Sequence, residues 1–320
     1  MPLFLWTRFL KFIVSLKMKI TLHLTRMMIF FFATFSMLAQ EETWEISQFR
    51  NGTDAVTLEH LDSKNHTVFQ LNIQNLKQQL LNTPQRKESN GQSNTIIQFP
   101  NVKGELEEYR VVETSIFSSD YGANAFPNIK TYLGSRTDNS GTRVRFSVTP
   151  LGLKAMISEP GKDIFYIQPV TKVSNGQYLI YNRNAKINSS ETFECLTEDL
   201  EVLSRSAAPS FERDANDQLL RTFRIAISTT SEYTGFWNDG NAGNGGPQDD
   251  ALAQMVSTLN RMNEVFEVDM AITFLLVNTV DDPAIDIVYS GTDPYGGNLN
   301  GDLDLQVLHQ IDTCQFLSVF

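Results

Sequence analysis

The residue types that hold metals or drive nucleophilic catalysis are sparse in this chain, and their spacing is restrictive. Four histidines are present, His23, His60, His66 and His309. None begins an H-E-x-x-H run, and no two lie four apart, the interval that lets imidazoles on one helical face share a zinc ion. His60 and His66 sit in a polar stretch, where a solvated imidazole is the favoured reading. The two cysteines, Cys195 and Cys314, are too few for the disulfide framework that staples small secreted domains. Stability must therefore come from burial. Carboxylates cluster at Asp281, Asp282, Asp286 and Asp293. Such oxygen-rich groups suit calcium, yet their spacing is not that of an EF-hand loop, and a solvated acidic surface is favoured. Glu232 and Glu264 are read the same way.

The elements that would position such residues divide by charge. Of 320 residues, 26 are basic and 37 acidic, a net charge of -11, which argues against a nucleic-acid binder because phosphate neutralisation needs a dominant basic face. Residues 1–40 hold five basic side chains and no acidic one, 41–213 are nearly balanced, and from Asp214 onward only Arg221, Arg224 and Arg261 oppose 16 acidic residues. The first piece reads as an export signal, residues 1–39. Lys17, Lys19 and Arg26 precede an apolar run at 27–38 that is too short to span a bilayer comfortably. Ala39 suits the position before a cut and Gln40 the position after it, and Met18 is a candidate true start. The protein is expected to be secreted, with no membrane contact once the signal is removed. Sequons at Asn51, Asn65 and Asn188 are read as ordinary turn asparagines.

Residues 40–185 read as an antiparallel β domain. Phe69, Ile73, Leu76 and Leu80 predict a short amphipathic helix ending before Pro84. Seven short strands follow, at 95–99, 109–113, 130–133, 143–148, 153–157, 163–167 and 178–181, with Pro150-Leu151-Gly152 as one turn and Asn175-Gly176 in another. Residues 186–218 are polar and form a linker, with Arg205 in its Ser/Ala/Pro-rich centre as a candidate processing site. Residues 219–320 open with a strand at 222–229. A Gly/Asn-rich loop at 238–246 then leads into a helix marked by Pro247, Asp249 and Asp250 at its start. The stripe Leu252, Met255, Val256, Leu259, Met262 and Phe266 must pack on a sheet. Residues 270–277 read as a strand buried on both faces, and 285–289 as another. Strand, helix and buried strand open an α/β sandwich with a parallel pair.

These last elements carry a resemblance. The strings RTFRIAISTTSEYT at 221–234, LNRMNEVFEVDMAI at 259–272 and TDPY at 292–295 resemble the start of a secreted bacterial reprolysin-like zinc metallopeptidase, a metzincin. FSVTPLG at 146–152 and YIQP at 166–169 are similar to the β-rich propeptide that precedes that catalytic domain. The likeness covers roughly residues 70–300. It implies an α+β chain, an antiparallel β-rich propeptide domain followed by an incomplete α/β metzincin-like catalytic subdomain. It also implies peptide-bond hydrolysis of protein or peptide substrates by a water that zinc activates, the ion held by H-E-x-x-H-x-x-G-x-x-H.

That motif and its Met-turn are absent from the sequence. The expectation is a precursor fragment, itself inactive, with a truncated gene or frameshift near residue 300. Within the family frame Cys195 becomes a candidate zinc ligand, its thiolate filling the open metal position to keep the parent latent; an idle cysteine is the bland alternative. The second function class is a secreted non-enzymatic binding or protease-inhibitory module.

Overall fold

The computed structural model describes residues 16–27, 42–48, 66–172, 174–183, 219–277 and 288–293. The chain divides into two compact units, 1–42 and 43–320. In the first, residues 16–27 form an exposed helix, α1. Among the described residues no helix is long and apolar enough to cross a membrane. The remainder of the apolar run and the cut at Ala39 and Gln40 lie outside the described residues.

The second unit is α+β and is dominated by one antiparallel sheet of nine strands. Chain order is β1 (Trp44–Ile46), β2 (His66–Leu71), helix α2 (Ile73–Leu80), β3 (Ile96–Pro100), β4 (Leu106–Thr114), helix α3 (Asp120–Ala125), β5 (Lys130–Arg136), β6 (Arg143–Thr149), β7 (Gly152–Ser158), β8 (Phe165–Pro169) and β9 (Gln177–Asn182). Spatial order is β1-β2-β9-β8-β7-β6-β5-β4-β3, so β3 to β9 form a continuous meander and β2 closes on β9. The sheet curls until its edges meet. The Trp44 indole N–H on β1 donates to the Gln98 carbonyl on β3 at 2.8 Å, and its ring lies 6.0 Å from Phe99. The result is nearly a closed barrel, with β1 brought against β3 by that side-chain bond.

Alternation builds the barrel interior. On β6, Val144, Phe146 and Val148 point inward and are buried with Leu153, Ala155 and Ile157 of β7. Tyr132 stacks on Phe146 at 4.8 Å, and Leu76 and Leu80 of α2 enter the same core. The turn between β6 and β7 needs glycine at 152. Its φ is 113°, and a Cβ there would come within 2.7 Å of the Ser174 Cβ.

All seven expected strands are present, but the helix expected from Phe69 starts later. Residues 66–71 are strand β2, Phe69 pairs with Tyr178, and Asn72 caps α2 by accepting from the Asn75 N–H at 3.0 Å. Phe69 and Leu71 face the barrel core at the strand period while Val68 packs in a separate cluster, so tertiary pairing overrides the helical reading of this segment.

The acidic end supplies β10 (Arg221–Ala226), helix α4 (Ser231–Trp237), helix α5 (Pro247–Met270) and β11 (Ile272–Val277). β10 and β11 are parallel, in register from Arg221 with Ile272 to Ala226 with Val277. The start of α5 follows the expected punctuation. Pro247 opens the first turn, and the Asp249 carboxylate accepts the Gly246 N–H at 2.7 Å. The apolar stripe packs as expected, with Leu252, Val256 and Leu259 against Leu276. The strand at 270–277 is not buried on both faces. Only Leu276 and Val277 are buried and β10 is largely exposed, because α5 covers one side and no described element covers the other.

Candidate functional site

The most elaborate polar arrangement among the described residues lies where α5 crosses the outside of the barrel. Outward positions of β6 alternate with its core residues and carry Arg143, Arg145, Ser147 and Thr149. In an open hairpin these would be solvated. Here Arg145 is 1% exposed and Ser147 equally buried, because α5 lies over them. From α5 the facing side chains are Gln254, Ser257, Asn260, Glu264 and Glu267, spaced three or four apart and so aligned along one helical face.

The contacts run along the helix. Lys154 of β7 donates to Gln254, and its ammonium lies 4.3 Å from the Trp237 ring centre. Ser147 Oγ donates to Ser257 Oγ at 2.8 Å, and the Asn260 amide donates to the Phe146 carbonyl at 2.9 Å. Beyond them is an ionic clamp. Arg143 grips both Glu264 oxygens at 2.9 and 3.2 Å, Arg145 Nε reaches Glu264 at 3.3 Å, and Ser158 Oγ donates to Glu264 at 2.8 Å. Glu267 takes Arg145 Nη2 at 2.7 Å and Arg86 Nη1 at 2.8 Å. Glu264, expected on a solvated surface, is instead 2% exposed. A carboxylate is tolerated there because two guanidiniums and a hydroxyl replace its water.

Electrostatics follow from this placement. Burial works against ionisation of Glu267, but Arg145 and Arg86 outweigh it and hold the carboxyl below its ordinary range. Burial draws the Arg145 guanidinium below its usual value, against the pull of Glu267 and Glu264. Arginine nonetheless stays charged, so Glu267 keeps its cationic partner in Arg145 at neutral pH.

A second contact is made by backbone. Leu276 N–H of β11 donates to the Ile116 carbonyl at 2.6 Å and the Ser118 N–H donates to the Leu276 carbonyl at 3.0 Å. The segment after β4 therefore pairs in parallel fashion beside β11. Ile116, Phe117, Ile129 and Leu151 from the barrel join the α5 and β11 core.

Among the described residues no group of three or more His, Cys, Asp or Glu side chains is placed to hold a metal ion. His66 opens β2 and His23 lies on α1. Asp293 accepts from the Ser231 N–H at 2.8 Å and from its hydroxyl at 2.9 Å, tying down the start of α4. Cys195, Cys314, Arg205, Asp281, Asp282 and Asp286 lie outside the described residues, as do Ala39 and Gln40. The clamp was not anticipated from sequence; the available signal was the polar series 254, 257, 260, 264 and 267 on a helix otherwise read by its apolar stripe. No family model matches the chain, and no curated protein matches it.

Proposed function

We propose that the chain is the latent N-terminal portion of a secreted zinc-dependent endopeptidase precursor. In this reading the nine-stranded barrel is the propeptide domain and β10, α4, α5 and β11 begin a reprolysin-like catalytic domain. The observation that carries it is the buried clamp of Arg143 and Arg145 on Glu264. A propeptide has to hold its catalytic unit through contacts that are strong when assembled and soluble when parted, and ionic pairs on a polar helical face meet both needs. The strings at 221–234 and 259–272 supply the family resemblance, and the second contains Glu264 and Glu267 themselves.

The residues present do not fit a zinc centre, since none of the four histidines belongs to an H-E-x-x-H run. No catalytic step is therefore assigned to this chain. Peptide hydrolysis belongs to the intact parent, where Cys195 would serve as the latency ligand. Translation in all three frames of the DNA around codon 300 and beyond codon 320 is expected to reveal H-E-x-x-H-x-x-G-x-x-H within about one domain length. Its absence would favour a secreted binding or inhibitory module. Purified chain is expected to leave casein intact and to retain no stoichiometric zinc; zinc retention with cleavage would overturn the reading.

A further inference from the structure

The loop between α4 and α5 serves neither the clamp nor the barrel, yet it encloses charge. Asp250 sits in the first turn of α5 and is 1% exposed. One of its oxygens, Oδ2, accepts the Asp239 N–H at 2.9 Å. The other, Oδ1, is buried with no hydrogen-bond partner. Asn244 Oδ1, on the same loop, is likewise buried without a partner. A buried carboxylate oxygen left unpaired costs free energy unless something positive faces it. The neighbouring Asp249 does not share this condition, because its carboxylate is occupied in capping Gly246.

We infer that residues 239–250 form a Ca²⁺-binding loop, with Asp239, Asn244 and Asp250 supplying side-chain oxygens and Gly245 a main-chain carbonyl. The spacing supports this independently of the orphaned oxygen. An EF-hand loop has twelve residues between two helices, with ligands at its first, third and twelfth positions and a carbonyl at its seventh. Here Asp239, Asn241 and Asp250 occupy the first, third and twelfth, and Gly245 the seventh. α4 ends at Trp237 and α5 begins at Pro247, so residues 239–246 lie between the two helices and 247–250 form the first turn of α5. It departs from the pattern in having Gly243 fifth, Asn244 sixth and aspartate last, and Asn244 Oδ1 would replace the missing fifth ligand. Its backbone is also constrained. Gly245 has φ 140°, and a Cβ there would come within 2.7 Å of the Asp249 Cβ.

The ligand class follows from the donors. All are hard oxygens, two are carboxylates and the rest amide or carbonyl, a set that suits calcium and not zinc or copper. Burial pushes the Asp250 carboxyl up, and the negative charge of Asp239 adds to the shift. A divalent cation relieves both. With two carboxylates the affinity belongs in the range of extracellular modules, roughly 10⁻⁴–10⁻³ M.

The test uses the full chain and Tb³⁺ as the probe, with Trp237, two residues before Asp239, as sensitiser. Wild type is expected to show saturable Tb³⁺ luminescence that millimolar Ca²⁺ displaces, and a higher Tm in CaCl2 than in EDTA. Asp250→Asn, nearly isosteric, is expected to weaken binding at least about tenfold and to remove the Tm shift. Should that variant fail to fold, Asp239→Asn is expected to give the same loss. Asp293→Asn, which loosens only the start of α4, is expected to keep the site. Absence of displaceable luminescence in wild type, retention of binding in both loop variants, or loss through Asp293 alone would overturn the assignment. None of these results depends on the peptidase reading, which is decided by the H-E-x-x-H search.

Discussion

The barrel and the α/β unit beside it solve burial differently. Inside the barrel Phe146, Val144 and Tyr178 have no exposed surface, and the sheet curls until the Trp44 indole on β1 reaches the Gln98 carbonyl on β3. In the α/β unit Phe223 on β10 is 49% exposed, and α5 owes much of its burial to the barrel. The barrel core is therefore drawn from its own strands and α2, whereas the α/β core is completed by its neighbour. The difference teaches where each core comes from: the barrel fills its own interior, and the α/β unit completes its core with Ile116, Phe117, Ile129 and Leu151 beside the barrel.

The largest test of this contrast is Phe146→Ala, which empties the centre of the barrel. A cost of about 3–5 kcal/mol is expected, measured by denaturant unfolding, and because α5 rests on β6 both regions should lose hydrogen-exchange protection together. Next is Glu264→Ala, which strips Arg143 and the buried Arg145 of their shared carboxylate. Removing one partner of a buried pair costs about 3 kcal/mol when the other charge stays behind, and Glu267 still faces Arg145, which keeps the effect at that lower end. Here exchange should rise in residues 247–270 while the barrel core stays protected. Equal loss in both regions would erase the proposed asymmetry.

Acid offers a gentler way to open the same contact. The Glu267 carboxyl is depressed in the folded state, so its contribution is fully present above its ordinary value of 4.5 and is lost as pH falls through the lower folded value. Asp250 works with the opposite sign, since its raised carboxyl favours the folded state at low pH and loses that contribution as pH rises. Exchange in α5 peptides is expected to increase below about pH 4.5, and Glu267→Gln is expected to flatten that dependence. Arg86 is 34% exposed at its side chain and borders an open depression of about 320 Å³ with Arg110 and Ser135, so water reaches the outer end of the clamp.

Much of the fold was legible because a half-buried strand announces itself by period. β6 alternates without error, and the turn at Gly152 marks where it reverses. β1 and β2 were not legible: β1 has three residues, and β2 contains Phe69, which also fits the helical period of α2. The clamp was hidden for a stricter reason. Arg143 and Arg145 stand at positions that read as solvent-facing in any isolated hairpin, and only the arrival of α5 buries them. Glu264 carried the same ambiguity from the other side, since a polar helical face looks identical whether it meets water or arginine. The loop at 239–250 shows a third kind of failure, in which the spacing was present but glycine and asparagine suggested only a turn.

The smallest expected effect falls on the exposed face. Phe223→Ser replaces a half-exposed aromatic on β10 whose ring meets Phe274 at 6.4 Å and little else that is described. Because surface substitutions away from buried networks fall within about 0.5 kcal/mol, the unfolding midpoint of this chain should barely move. The same substitution in a parent whose further strands cover β10 is expected to cost more, in the range of about 3 kcal/mol that a buried aromatic commands when truncated. The contrast separates the two function classes by one residue: a self-contained binding module predicts the same small effect in every longer form of the protein, whereas a catalytic sheet that grows beyond β11 predicts that Phe223 becomes core.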